Sequence, residues 1–137
     1  MNQNNFEIKE EIPSAGDFNN LRDLVGWGKI DEKLAENGLK NSLYSLCLYN
    51  GDKIIGICRL VGDGYLKVYI EELIIHPEYQ KKGLGTMMMN KIMDYIGKNY
   101  KKGCNIGLFS NKGLEGFYNK FKFIRRKDDM PGMQYKL

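Results

Sequence analysis

Positions 73 to 86 read Leu73-Ile74-Ile75-His76-Pro77-Glu78-Tyr79-Gln80-Lys81-Lys82-Gly83-Leu84-Gly85-Thr86, and this stretch decides how the 137-residue chain is interpreted. It starts as an apolar strand and ends where a helical pattern begins. The first turn of a helix leaves backbone N–H groups unpaired, and the helix dipole adds positive charge there. Gly83 and Gly85 leave that backbone open to a phosphate. The stretch predicts a phosphate cradle; the alternative is an ordinary helix start beside solvated lysines.

Two other phosphate-binding motifs are excluded by their spacing. A Walker loop requires a lysine directly after its second glycine, whereas Lys82 precedes both glycines here. A dinucleotide-binding fingerprint requires a third glycine where this chain has Met88.

The sequence on either side of this stretch predicts alternating elements. Strand patterns cover 6–12, 43–49, 53–61, 65–75 and 105–109, with closing strands at Phe123-Ile124 and Met133–Leu137. Helical patterns cover 14–25, 31–37, 84–99 and 111–121. Asn50-Gly51 between two apolar runs indicates a hairpin. We therefore expect an α/β fold of the α+β type, with a mixed, mostly antiparallel central sheet of six to seven strands and about four flanking helices.

Composition indicates one soluble domain over residues 1–137. Hydrophobic residues make up 42% and charged residues 28%, with a net charge of +4. No apolar run approaches the length of a membrane span, and the polar start is unlike a signal peptide, so we expect a cytoplasmic protein without membrane association. Three scattered cysteines and one histidine predict neither disulfides nor a metal site.

Two ordered motifs resemble those of the GCN5-related N-acetyltransferase family. The first is the apolar strand followed by Gln80-Lys81-Lys82-Gly83-Leu84-Gly85, which matches [QR]-x-x-G-x-[GA] at a helix start. The second is 111–123, similar to N-x-x-A-x-x-F-Y-x-K-x-G-F, with Leu114 in place of the small residue and Lys122 in place of the usual glycine. The resemblance covers nearly the whole chain and implies an acyl-CoA N-acyltransferase-like fold.

Acetyl-coenzyme A is the cosubstrate that this resemblance implies, with no metal. Backbone groups of the strand end would meet the pantetheine arm and the acetyl carbonyl, and N–H groups of the following loop would hold the pyrophosphate. Asn111 would contact the pantetheine arm. The implied cofactor-binding residues are Leu73, Ile74, Ile75, Gln80, Lys81, Lys82, Gly83, Leu84, Gly85, Thr86 and Asn111. The basic excess would then help to attract a polyanionic cofactor.

Three residues are candidates for the chemistry. Tyr118 stands where the family places its general acid, and a phenol remains protonated at neutral pH; the alternative is a core aromatic residue. Strand alternation predicts that Glu71 and Glu72 point to opposite faces. Glu71 falls where the base is usually placed, and Glu72 would be a substrate contact or relay. The alternatives are a strand-edge surface charge or a water chain as the base.

The resemblance implies that the acceptor is a primary amine, on a small molecule or a peptide that the sequence does not identify. Trp27 would line its site, because the first two helices and their connection shape that site in the family; packing alone is the alternative. A binding module of the same fold without turnover is the second hypothesis. Nucleic-acid binding is not expected, since the aromatic residues are not interleaved with the basic ones. Whether the chain forms a homodimer is not predicted by the sequence.

Overall fold

A five-stranded sheet forms the centre of the computed structural model, which describes residues 4–137; the first three residues of the polar start, Met1–Gln3, lie outside the described residues. The strands are β1 (Phe6–Lys9), β2 (Tyr44–Asn50), β3 (Lys53–Gly62), β4 (Lys67–Ile75) and β5 (Asn105–Gly107). Their order in the sheet is β1-β2-β3-β4-β5. The first four strands pair antiparallel, and β5 pairs parallel with β4.

Four α-helices accompany the sheet, namely α1 (Ala15–Leu24), α2 (Glu32–Lys40), α3 (Leu84–Asn99) and α4 (Glu115–Asn119). Side-chain caps define where the first two begin: Ser14 Oγ accepts from the Asp17 N–H at 3.1 Å, and Asp31 Oδ2 accepts from the Leu34 N–H at 3.0 Å. A 3₁₀ turn at Pro77–Tyr79 separates β4 from α3. None of these helices, within residues 4–137, has the length and apolar character needed to cross a bilayer.

Two hydrophobic clusters cover the two faces of the sheet. Met88, Met89 and Ile92 of α3 pack with one set of strand residues. Phe18 of α1 and Leu39 of α2 pack with the other set. Because side chains alternate along a strand, α3 lies on one face and the α1–α2 pair on the opposite face.

One extra residue interrupts the pairing of β4 with β3. Ile57 pairs with Ile74 while Arg59 pairs with Glu71, so β4 carries one residue more than β3 over this interval. Glu72 lies there with a φ of 48°, in the left-handed region that non-glycine residues rarely occupy. This is a β-bulge, and it re-aims the side chains of β4 next to the predicted site.

The strand count differs from the expected six to seven, because the C-terminal segment adds no strand within residues 4–137. The predicted closing strands at Phe123-Ile124 and Met133–Leu137 are irregular, and Ile124 and Tyr135 are 87% and 89% exposed. Gly132 lies against the ring of Phe109, where an added Cβ would be 2.6 Å from the ring. The segment therefore passes over this ring instead of extending the short β5 edge.

Candidate active site

The start of α3 leaves its first amides uncapped. Lys81 and Gly83 both have positive φ, at 63° and 78°, so the backbone turns sharply before the helix begins at Leu84. No side chain of the described residues caps this helix. An added Cβ on Gly83 would meet nothing within 4 Å. The loop therefore presents open backbone N–H groups to solvent, as a phosphate cradle requires.

The side chain of Gln80 fixes this loop to the preceding strand. Its Nε2 donates to the Ile75 carbonyl oxygen at 2.9 Å, while Leu84 is only 5% exposed and anchors the first turn of α3. Lys81, Lys82 and Thr86 are exposed. The loop is thus held at both ends, with its middle open.

β4 and β5 part just beside this loop. Their pairing covers only Lys67–Tyr69 with Asn105–Gly107, whereas β4 continues to Ile75. Beyond Tyr69, the edge of β4 that faces β5 has no strand partner among the described residues. Unpaired strand edges offer N–H and C=O groups to a ligand. Ile74, a predicted cofactor contact, is only 2% exposed. Its side chain is therefore in the core, and only its backbone groups could contact a ligand.

A cleft of about 130 Å³ opens where the two strands part. It brings together six residues that the sequence singled out: Trp27, Glu71, Glu72, Leu73, Asn111 and Tyr118. The remaining predicted cofactor contacts lie outside its walls: Ile74, Ile75 and the loop Gln80–Thr86. Five further residues complete the lining: Arg22, Ile70, Leu108, Phe109 and Leu114.

The two adjacent glutamates do not point to opposite faces as predicted; both line this one cleft. The β-bulge is the reason, because it breaks the regular alternation at Glu72. Ile70 accordingly packs in the α3 cluster and Ile74 in the α1–α2 cluster, although regular alternation along a strand would put both on one face.

Glu72 is held by a guanidinium. Arg59 Nε lies 2.5 Å from Glu72 Oε2, and Arg59 Nη2 lies 3.4 Å from Oε1. The Nη1 group of Arg59 donates to the Gly38 carbonyl and to Ser42 Oγ, both at 3.2 Å. The side chains of the ion pair are only 19% and 13% exposed. The charge of Glu72 is therefore matched inside the protein, and its orientation is fixed from α2.

Glu71 makes no ion pair within residues 4–137 and is the carboxylate available to a ligand. Burial raises the pKa of its carboxyl group, the nearby Glu72 raises it further, and Arg59 partly offsets both effects. A raised pKa brings a carboxylate closer to the basicity that proton abstraction from an ammonium group requires.

Tyr118 lies on α4, half-buried, opposite the β4 edge. Burial raises the pKa of its hydroxyl above the usual phenol value, and the Cys58 sulfur adds to the shift. Its ring packs edge-on against Phe117, with centroids 5.0 Å apart. Within the described chain the hydroxyl has no hydrogen-bond partner, so its proton is available to a ligand in the cleft.

Lys122 occupies the turn after α4 with a φ of 69°. Its N–H donates to the Asn119 carbonyl at 3.0 Å, and the Phe123 N–H donates to the Tyr118 carbonyl at 3.3 Å. The turn therefore forms with lysine in the place of the usual glycine, and α4 still ends in a left-handed cap.

Trp27 belongs to the connection between α1 and α2 and is 39% exposed. Arg22 holds this connection: its Nε donates to the Gly28 carbonyl at 3.2 Å, and its Nη2 donates to the Trp27 carbonyl at 3.3 Å. The guanidinium carbon also lies 5.7 Å from the centre of the Trp27 ring. Arg22 of α1 and Trp27, in the connection after it, together form one wall of the cleft.

Two of these residues were missed by the sequence reasoning. Arg59 carried a usable signal, because an arginine inside the apolar run of β3 requires a buried acidic partner. Arg22 carried none, since an arginine on an amphipathic helix is usually a solvated residue. Within residues 4–137, no group of three or more His, Cys, Asp and Glu residues is placed to hold a metal ion.

Comparison with known proteins identifies the family of this chain. The sequence model of the acetyltransferase (GNAT) family matches residues 13–123. The uncharacterized N-acetyltransferase ycf52 of Pyropia yezoensis is 30% identical over 82% of this chain and 66% of its own length. The ycf52 protein of Gracilaria tenuistipitata var. liui is 31% identical over 85% of this chain and 65% of its own length. The chain thus spans about two thirds of the length of these curated relatives.

Solved structures share the fold. A probable acetyltransferase from meticillin-resistant Staphylococcus aureus matches with a TM-score of 0.90 and 30% identity, covering 96% of this chain and 99% of that one. A GNAT family acetyltransferase from Streptococcus pneumoniae matches with a TM-score of 0.78 and 29% identity, covering 96% and 98%. The expected α+β fold class and the resemblance to this family are both confirmed. The chain belongs to the GNAT family of acetyltransferases.

Proposed function

We propose that this protein transfers an acetyl group from acetyl-CoA to a primary amine by direct attack. One observation carries the proposal: a single cleft holds Tyr118, Glu71 and Trp27 at the point where β4 and β5 part. The cleft thus combines a proton donor, a carboxylate and an aromatic wall beside an unpaired strand edge. A proton donor and a base are the groups that assist amide formation from an ammonium substrate, and the strand edge can offer N–H donors to the developing oxyanion.

The residues of the cofactor side fit a coenzyme A molecule. The uncapped start of α3 offers backbone N–H groups to the pyrophosphate, and the open space at Gly83 leaves room for it. Lys81 and Lys82 add positive charge at the rim. Asn111 lines the cleft, which supports the proposal that it contacts the pantetheine arm. When bound, acetyl-CoA supplies the acetyl group as an activated thioester.

Tyr118 holds a proton for the departing sulfur. Because burial raises the pKa of its hydroxyl, this proton stays in place throughout the physiological pH range. A donor that is still protonated at the working pH can stabilise a developing thiolate by a hydrogen bond or by full proton transfer.

Glu71 takes the proton from the attacking ammonium group. Its raised pKa improves it as a base, and no cation of the described chain pairs with its charge. Glu72 takes a different role, because Arg59 occupies both of its oxygens. We assign Glu72 to fixing the bulge and the position of Glu71, and not to proton transfer.

The free cysteines of the chain support a proposal about its cellular compartment. All three cysteines are unpaired, which suits a reducing environment such as the cytoplasm. Some relatives carry names that place them in chloroplasts, among them GCN5-related N-acetyltransferase 1, chloroplastic, of Arabidopsis thaliana. A plastid stroma is reducing as well, so we propose a reducing compartment without choosing between the two.

Release of free coenzyme A thiol from acetyl-CoA, measured with a panel of amines, tests the proposal. We expect at least one amine to be acetylated, and Tyr118→Phe to lower kcat by about 100-fold while coenzyme A binding is retained. Tyr65→Phe is the matched control, because Tyr65 is 82% exposed and lies away from the cleft.

The second hypothesis is a binding module of the same fold without turnover. Two features motivate it, namely Lys122 in place of the usual glycine and a base that could be a water chain instead of a side chain. The turn at Lys122 nevertheless forms. Tight binding of coenzyme A with no acetylated product from any amine would favour the binding module. Failure to bind coenzyme A would exclude both hypotheses.

A further inference from the structure

Charged side chains of both signs line the cleft, and only one of them forms an ion pair within the described residues. Glu72 is neutralised by Arg59, which leaves Glu71 as an unmatched negative charge. Arg22 lines the same cleft and forms no ion pair with any carboxylate of the described residues within 4 Å. The cleft therefore offers one free carboxylate and one free guanidinium to its occupant.

The guanidinium of Arg22 is fixed in place before any ligand binds. Nε and Nη2 each donate to a backbone carbonyl, at Gly28 and at Trp27. A guanidinium has five N–H donors in one plane. After these two bonds, the edge formed by Nη1 and the second hydrogen of Nη2 remains, with two parallel donors.

Two parallel N–H donors match the two oxygens of a carboxylate. Since the arginine is already anchored, binding an anion there costs little additional side-chain entropy.

We propose that the acceptor is a zwitterion, a primary amine that also carries a carboxylate, with its amine at Glu71 and its carboxylate at Arg22. This rests on the function proposed above and narrows its substrate class. Trp27, Leu108 and Phe109 also line the cleft, so an occupant can contact aromatic and aliphatic groups as well as the two charges. An amino acid has the required combination of an amine and a carboxylate, and an aromatic side chain such as that of phenylalanine can contact Trp27 and Phe109.

Three probes of similar shape separate the contributions of the two charges. L-Phenylalanine carries both groups, 2-phenylethylamine lacks the carboxylate, and 3-phenylpropanoate lacks the amine. Each is titrated by calorimetry into the protein, with and without free coenzyme A, so the measurement does not depend on turnover. We expect L-phenylalanine to bind about tenfold more tightly than either of the other two.

The Arg22→Gln variant tests the assignment. It should weaken L-phenylalanine binding by about tenfold and leave 2-phenylethylamine binding unchanged, so that the two affinities become similar. Lys29→Gln is the matched control, because it removes one positive charge from the same connection at an exposed position outside the cleft. It should leave both affinities as they are.

Three results would overturn the zwitterion assignment: equal affinities of L-phenylalanine and 2-phenylethylamine for the unmodified protein, an equal loss for both in Arg22→Gln, or no binding of any probe. An equal loss would show that Arg22 only holds the connection between α1 and α2. These failures leave the acetyl transfer itself intact, since acetylation of an amine without a carboxylate would still support the proposed function.

Discussion

The two halves of the cleft region are made from different parts of the polypeptide. The half proposed to bind the cofactor, called the cofactor half below, consists of backbone: an uncapped helix start, a left-handed turn at Gly83 and an unpaired strand edge. The acceptor half consists of side chains, chiefly Glu71, Tyr118 and Arg22. Backbone groups are present in every sequence, so the cofactor half requires only the glycines that expose them. The acceptor half changes with each substitution, and it is where members of one fold come to differ in substrate.

Replacing Glu71 should produce the largest effect on the acceptor half. We expect Glu71→Gln to lower kcat/KM by about 100-fold, because the general base is lost. The unmodified enzyme should lose activity as the pH falls through the raised pKa of Glu71, and the variant should lack this limb. A pH–rate profile checks both. Glu7→Gln, at an exposed position of β1, is the control and should behave like the unmodified enzyme.

The same variant should be more stable than the unmodified protein at neutral pH. Folding raises the pKa of Glu71, so its ionised form is disfavoured in the folded state. The stabilising effect of Glu71→Gln should shrink as the pH falls from the raised pKa of Glu71 towards the ordinary glutamate pKa, and it should be absent below that, where the carboxyl is protonated in both states. Thermal unfolding at several pH values measures this. Equal stability at neutral pH would mean that burial does not penalise Glu71.

Variants of the Arg59–Glu72 ion pair test how much the matched charges beside the acceptor half contribute to the stability of the fold. We expect Arg59→Met to lower the free energy of unfolding by about 2 kcal/mol, below the usual range for a buried pair because both side chains are partly exposed. The double variant Arg59→Met/Glu72→Leu should regain most of this loss, since no unmatched charge remains.

Urea unfolding of the single and double variants measures these changes. The exposed pair formed by Lys40 and Glu36 serves as the comparison, with side chains 63% and 44% exposed. Lys40→Met should leave the unfolding midpoint unchanged within error. A double variant no more stable than Arg59→Met would contradict the charge-matching role of Arg59.

The affinity for coenzyme A should fall when the backbone conformation of the cofactor half is disturbed, and it should change little when one of its side chains is replaced. Gly83→Val should raise the Kd for coenzyme A by about tenfold, because a β-branched residue disfavours a φ of 78° and fills the space at the helix start. Lys82→Gln should raise it by about twofold, as expected for one exposed charge. Calorimetric titration with coenzyme A measures both. The reverse order would show that side-chain charge, and not the exposed backbone, holds the pyrophosphate.

The smallest effect is expected at the turn that follows Tyr118. Lys122→Gly should stabilise the protein by about 1 kcal/mol, because glycine adopts a φ of 69° without steric cost. Thermal unfolding measures the gain. Lys120→Gly, within the same region but with an ordinary helical φ of −62°, should instead be neutral or destabilising.

Most of the fold could be predicted from periodicity and turn signals, since the hairpin at Asn50-Gly51 and the start of α3 depend on neighbouring residues. The C-terminal strands could not, because a strand forms only against an available edge and β5 is three residues long. The helix start at Leu84, with its open backbone, could be predicted from Gly83 and Gly85. In the acceptor half, the pairing of Arg59 with Glu72 joins residues from two strands and follows from the bulge, which has no local sequence signal.

The bulge at Glu72 inserts one residue into β4 and so reverses which residues of the strand face α3. Upstream of it the strand follows the α3 face with its even-numbered residues, and downstream it buries Ile74 on the other side. Deleting one residue between 70 and 74 would restore a regular ladder, yet it would also separate the two adjacent carboxylates onto opposite sides of the sheet. The length of this segment is therefore constrained as strictly as its composition, and we expect natural variants to accept substitutions here far more readily than insertions or deletions.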